Sequence, residues 1–280
     1  LGRAHRVVEV LDEEGHADAS WKSIYDLGYL RSNVAGGEYY DWYYDSPEGE
    51  KAQVRRAVVD EEYGEPWVFR AKDLLGWWSN PHHDRLNGVR AAVGSAWVPK
   101  SKPFRFTEYG CAAIDKGANQ PNRFLDLQSS ESGLPRASNG QRDDLIQMQY
   151  LRAMAQHWNT TEHNPISPIY GTEMVDMAHA HVWAWDARPF PAFPGLSDLW
   201  DDAKSYSRGH WLNGRATNQP LDAVVREICS NSGPTAVSTS SLFGLVRGYR
   251  ADQMQSGRAM LEPLLLTAGA DVVDRDGELR

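Results

Sequence analysis

The sequence predicts an α/β chain whose main strands run parallel, and three stretches predict it. Residues 103–106 are a short apolar and aromatic run that ends in Thr107, Glu108, Tyr109 and Gly110. Such a run reads as a buried strand whose last side chains reach a rim, where the glycine turns the chain. Residues 182–185 repeat the form, with Asp186 and Arg188 at their end. Between them, residues 143–158 predict a helix with Leu145, Ile146, Met148, Leu151, Met154, Ala155 and Trp158 along its apolar face. Strand, helix, strand, with polar groups at both strand ends, is the pattern of a parallel sheet, where sites form at the C-terminal ends of strands.

The other elements follow in order. Residues 6–11 predict a strand and 12–18 a charged turn. Ala19 or Ser20 caps a helix to about Arg31, with Trp21, Ile24, Tyr25, Gly28 and Tyr29 on one side, broken at Gly36 and Gly37. Residues 38–44 are a dense aromatic patch in an extended or loop segment, 47–58 a helix, 64–70 a strand and 73–78 a short helix or lid. His82, His83 and Asp84 fall in a polar loop, and residues 89–99 read as irregular. Residues 110–140 are rich in Gly, Pro, Asn and Ser; a loop this long suggests a functional rim or a partner surface. Residues 164–169 form a turn, 187–194 a proline-stiffened rim, and 199–203 a short helix.

Composition changes near Gly209, residues 210–214 read as a closing segment, and a boundary is expected within 207–217. Beyond it come a helix from 219 to about 230, a strand or loop over 242–249, a helix over 257–268 capped by Ser256, a strand over 271–273, and a hairpin turn at Asp276 and Gly277.

At 280 residues the chain allows one large domain or one and a half average ones. The net charge of -9, with no stripe of Lys and Arg, argues against a nucleic-acid surface. The 11 Trp and 12 Tyr suit carbohydrate sites, interfaces or cores alike. Cys111 and Cys229 give no disulfide framework, and no stretch approaches a membrane span. There is no phosphate-binding glycine loop or dinucleotide fingerprint, so no cofactor is expected.

Glu108 is the best single candidate for chemistry: a carboxylate at a strand end beside Tyr109 can act as nucleophile or general acid/base on a sugar. The alternative is a rim carboxylate held by Arg105 or Arg188. Glycoside hydrolysis needs a second carboxylate. Asp186 stands at the neighbouring strand end, and Glu38, Asp41, Glu65 and Asp73 are further choices. Trp183 and Trp185 share a side of their strand and, with Trp67, Trp77 and Trp78, can stack on pyranose rings; one of the strand pair is expected to pack in the core. Tyr39, Tyr40, Trp42, Tyr43 and Tyr44 read equally as sugar platform, interface or core. His82, His83 and Asp84, and the pair His179 and His181, hint at metal but lack a third ligand at a fitting spacing, so no metal site is assigned. Cys111 reads as a buried thiol rather than a nucleophile.

Several longer stretches carry a resemblance. They are Tyr63-Gly-Glu-Pro-Trp-Val-Phe-Arg-Ala-Lys-Asp73, Trp77-Trp-Ser-Asn-Pro-His-His-Asp-Arg85, Phe106-Thr-Glu-Tyr-Gly-Cys111, Asp115-Lys-Gly-Ala-Asn-Gln-Pro-Asn122 and Trp183-Ala-Trp-Asp-Ala-Arg-Pro-Phe-Pro-Ala-Phe-Pro194. Together they resemble the TIM-barrel-like, glycoside-hydrolase-like domain of gene transfer agent and phage tail proteins, the large baseplate or host-specificity proteins, over residues 12–208. Residues 218–280 resemble the beginning of the phage tail domain that follows that barrel, and residues 1–11 stand apart as an atypical N-terminal segment.

The resemblance implies the C-terminal half of a TIM-barrel-like domain followed by an incomplete α+β tail domain. It implies a virion component that assembles with other tail and baseplate proteins in the cytoplasm and then serves in an extracellular tail particle. A homo-oligomer in the full assembly and contact with cell-surface glycan go with it. Thr107 and Glu108 match the strand-seven nucleophile position of related sugar hydrolases, and residues 182–185 match strand eight. The general acid of such enzymes comes from strand four, which would precede residue 12, so a truncated or excerpted barrel is expected, with catalysis left open. In a retaining reaction Glu108 would attack the anomeric carbon, Tyr109, Asp186 and Arg188 would orient hydroxyls, and Trp183 and Trp185 would supply an apolar wall.

Overall fold

The computed structural model describes residues 18, 20–126, 128–234 and 236–280. The strand expected over 6–11, most of the turn over 12–18 and the helix start at Ala19 lie outside the described residues.

The first described helix, α1 (Leu27–Ser32), starts later than predicted. Ser23 Oγ accepts from Tyr25 N at 3.1 Å, a local bond that competes with helix, and Asp26 then caps Tyr29 N at 3.1 Å. Helix α2 (Pro47–Lys51), capped by Ser46, stops well short of residue 58. Gln53 takes a left-handed backbone (φ 57°), and the chain returns as β2 (Arg56–Ala57) against β1 (Trp42–Tyr43). The strand expected over 64–70 is instead a tight turn, Pro66–Val68. Asp60 folds it by accepting from the backbone of Glu62, Tyr63 and Glu65 at 3.0–3.2 Å, while buried Glu65 holds Arg90 at 2.8 Å. Helix α3 (Leu74–Ser79) buries Trp78, whose indole donates to Lys102 O at 2.8 Å.

The polar loop expected at His82–Asp84 and the irregular stretch after it form a hairpin, β3 (His83–Leu86) and β4 (Val89–Gly94). Its turn is Asn87 and Gly88, both at positive φ (52° and 82°), the two-residue geometry that matches strand twist.

The strand–helix–strand unit keeps its order and direction but not its ladders. Residues 104–109 run parallel to 174–183, joined by Phe104 N to Met174 O (2.7 Å), His181 N to Phe106 O (2.8 Å) and Trp183 N to Tyr109 O (2.8 Å). A tight turn, Met177–His179, bulges out between these bonds, so only isolated parallel bridges form at Phe104–Val175 and Tyr109–Val182. Helix α4 (Asp144–Trp158), capped by Asp143, crosses between the two segments as predicted. It buries Ile146, Tyr150, Ala153, Met154 and Trp158 against Tyr29, Leu30, Trp78 and Val175 in the largest core.

The long loop over 110–140 begins as core. Cys111, Ala112, Ala113 and Ile114 are fully buried, and Gln147 Nε2 donates to Cys111 O at 3.0 Å. Burial pushes the Cys111 thiol up, which fits an inert buried group. The proline-rich rim folds inward at Phe193, which packs with Ala203, Tyr206, Trp200 and Trp211 beside a 3-10 segment, Asp201–Arg208.

The last part pairs α5 (Leu221–Ser232) with α6 (Gly257–Ala268), capped by Ser256 as predicted, around Leu221, Val225, Ile228, Cys229 and Leu261. Short strands β5 (Gln219–Pro220) and β6 (Leu245–Val246) flank it. Strands β7 (Asp274–Arg275) and β8 (Glu278–Leu279) turn at Asp276 and Gly277; the strand expected over 271–273 falls later, at β7. Among the described residues the sheets are four antiparallel pairs, and no closed barrel is formed.

Candidate functional site

Glu108 lies exposed on a bend within the first parallel segment, just before the Tyr109 bridge, with no hydrogen bond or ion pair from the described residues. The arginines expected to hold it are engaged elsewhere. Arg105 pairs with Asp176 at 3.1 Å, and Arg188 pairs with Asp186 and Asp202. Tyr109 is half-buried and packs on Phe106 at 5.8 Å, and burial raises its phenol pKa. Trp183 and Trp185 are 51% and 66% exposed, so neither packs in the core as one of them was expected to do.

Asp186 and Arg188 form a structural knot. Arg188 donates to Asp186 at 2.6–3.0 Å and to Asp202 at 2.7–2.8 Å, and its guanidinium lies 3.7 Å over the Phe193 ring. Trp211 Nε1 also donates to Asp186 Oδ2 at 3.1 Å, and Asn213 brackets the Asp186 backbone. Hydrogen bonds from Arg188 are the main reason the Asp186 pKa falls to about 2. An acid this strong holds no proton to donate near neutral pH, so Asp186 does not fit the role of general acid.

A cleft of about 250 Å³ opens beside this knot, lined among others by Phe124, Trp183, Asp202, Ser205, His210 and Trp211. His210 is 7% exposed. Its Nε2 donates to Pro121 O at 3.0 Å, and its ring stands edge-on to Phe124. Burial lowers its pKa, and the charge of Glu108 acts in the opposite direction. Trp183 and His210 share the cleft, whereas neither Glu108 nor Trp185 is among its lining residues. The long loop contributes Phe124 and Asp126 to the cleft, in keeping with its length. His210 and Trp211 lie in the segment expected only to close the chain, and an aromatic pair next to a composition change is the one signal the sequence offers for them.

The remaining candidates are held by structure. Glu38 pairs with Arg136 at 2.9 Å, Asp41 accepts from Gly37 N at 2.7 Å, and Asp73 caps α3. His82 and His83 bond the carbonyls of Trp77 and Ala91, and His179 pairs with Asp176 at 2.8 Å. Among the described residues no three His, Cys, Asp or Glu side chains converge as a metal site, and no helix is long and apolar enough to cross a membrane.

Comparison with curated proteins gives no match. The sequence profile of the GTA TIM-barrel-like domain matches residues 7–194, which span both parallel segments, α4, Glu108 and Trp183. The chain belongs to the GTA TIM-barrel-like domain family.

Proposed function

We propose that the chain is a structural component of a phage-like tail or gene transfer agent baseplate, whose barrel-like domain contacts cell-envelope glycan. Residues 218–280 would begin a tail domain that docks on neighbouring tail proteins, in a homo-oligomeric assembly. The observation that carries the glycan contact is the cleft walled by Trp183 and Trp211, with Trp183 half exposed. An exposed indole beside hydrogen-bonding groups suits the apolar face and hydroxyl rim of a sugar ring. Family membership supports the tail context. The test is co-sedimentation of the chain with insoluble peptidoglycan and with host capsule. Wild type is expected to pellet with one of them, and Trp183→Ala to lose at least tenfold in affinity; equal pelleting of the two would end this reading.

A second reading, retaining hydrolysis with Glu108 as nucleophile, is favoured by one observation: Glu108 is exposed and has no ion pair among the described residues. Asp202 is engaged by Arg188, which leaves Asp126 as the other carboxylate on the wall. Glycan cleavage abolished by Glu108→Gln would establish hydrolysis; cleavage unchanged by that substitution would remove it.

A further inference from the structure

The charged groups around the cleft are of one sign. Asp126 and Asp202 are carboxylates, Gln128 and Ser205 are neutral, and no Lys or Arg lines it among the described residues. Arg188, the cation bonded to Asp202, shares its guanidinium between Asp202 and Asp186 and sits on the Phe193 ring. The Trp211 indole N–H is directed to Asp186 as well. The nearest cation and the indole donor are therefore engaged inside the protein.

His210 completes this arrangement. The Pro121 carbonyl can only accept, so the proton sits on Nε2 and the neutral ring keeps Nδ1 as an acceptor. Burial lowers its pKa, which keeps the ring neutral at pH 7. Nδ1 meets no donor among the described residues, although the side chain is more than nine-tenths buried and lines the cleft. The backbone around it is fixed: His210 O accepts from Ala184 N at 3.1 Å and from Gln147 Nε2 at 3.1 Å.

We infer that this cleft takes one ring of a neutral or amine-bearing sugar and rejects anionic sugars, with His210 Nδ1 as the acceptor that orients the bound ring. The inference rests on the glycan reading above and narrows it. A ligand that brings hydroxyl, amide N–H or ammonium donors meets Asp126, Asp202 and His210 Nδ1, while its apolar face lies on Trp183 or Trp211. A uronic acid or a phosphorylated sugar meets carboxylates with no free cation beside them.

The test titrates the full chain by calorimetry with three oligosaccharides of equal length: an N-acetylglucosamine oligomer, its de-N-acetylated form and a galacturonic acid oligomer. The first two are expected to bind at least tenfold tighter than the third, with the gap narrowing in high salt. His210→Gln places its amide nitrogen where Nε2 was, keeping the bond to Pro121 O, and removes the acceptor at Nδ1. It is expected to weaken neutral-sugar binding about tenfold at unchanged Tm, and His210→Asn, which offers an oxygen near the Nδ1 position, to recover part of that loss. Asp126→Asn, on an exposed loop, is expected to narrow the discrimination against the galacturonate; it reads out the charge argument even if the His210 variants fold poorly. Galacturonate binding as tight as the neutral oligomer, and abolished by Trp183→Ala, would overturn the inference and leave the glycan reading standing. No binding of any oligomer would overturn both.

Discussion

Two buried bases respond to pH in the same direction, in different pH windows. His157, at the end of α4, stacks on His163 at 4.1 Å with rings 8° apart. Burial first, then the nearby charges of His163 and Arg31, lowers its pKa from 6.5 to about 4. Between those values the unfolded chain binds more protons, so stability falls as pH drops through that window, by on the order of 2 kcal/mol. The urea midpoint is expected to fall between pH 7 and 4.5, and His157→Leu to flatten that slope; a slope untouched by the substitution would assign it to other groups. Lys72 donates to Asn33 O and Gly36 O at 3.0 Å, and burial lowers its pKa from 10.5 to about 8. Here the folded chain holds fewer protons than the unfolded one above pH 8, so this lysine's contribution improves as pH rises toward 10. Measured against Lys72→Met, the wild-type midpoint should gain over that range. At the knot, Arg188→Ala removes the partner of two carboxylates at once and is expected to cost about 2 kcal/mol in urea unfolding, more than the loss of either carboxylate alone.

At the scale of elements, legibility followed how local the cause was. Helix α4 was readable because its apolar residues recur every three to four positions and Asp143 stands at its start. Helix α6 was readable from Ser256, whose Oγ accepts from Ala259 N; Ser256→Ala is expected to lower stability by about 1 kcal/mol in thermal unfolding. The β3–β4 hairpin carried its own signal in Asn87-Gly88 between Leu86 and Val89, but adjacent polar residues His82 to Asp84 hid the alternation. The turn at Pro66–Val68 was not readable, because Arg85 and Arg90 reach Glu65 from a later hairpin. The direction of the two parallel segments was legible and their continuity was not, since nothing local marks the bulge at Met177–His179 as out of line. The candidate site divides in the same way. Glu108 and Trp183 stand at strand ends and could be named, whereas His210 and Trp211 reach the cleft from a distant segment. Asp186 and Arg188 could be named from position at a strand end, whereas their bonds to each other and to Asp202 and Trp211 depend on distant segments and were not legible.

Across the whole molecule one carboxylate joins three regions. Asp144, on the first turn of α4 and nearly fully buried, meets Arg142 at 2.6 Å, Arg215 at 3.0 Å and Arg247 at 3.6 Å. Arg215 follows the aromatic cluster around Phe193, and Arg247 follows β6 beside the helices α5 and α6. Burial lowers the Arg215 pKa, which Asp144 opposes, so removing the carboxylate strands a buried cation. Asp144→Asn is expected to cost about 3 kcal/mol and to separate thermal unfolding into two calorimetric transitions, where wild type shows closer coupling. A single transition at an unchanged Tm would count against that linkage.

The parallel pairing of residues 104 and 175 also bears on the order in which the chain assembles. The two partners are brought together only after the whole stretch between them is compacted, which makes their closure entropically late. Helix α4 depends on near neighbours and can nucleate early. In stopped-flow refolding, Ala153→Gly in the middle of α4 should therefore slow folding, whereas Phe104→Ala should chiefly hasten unfolding.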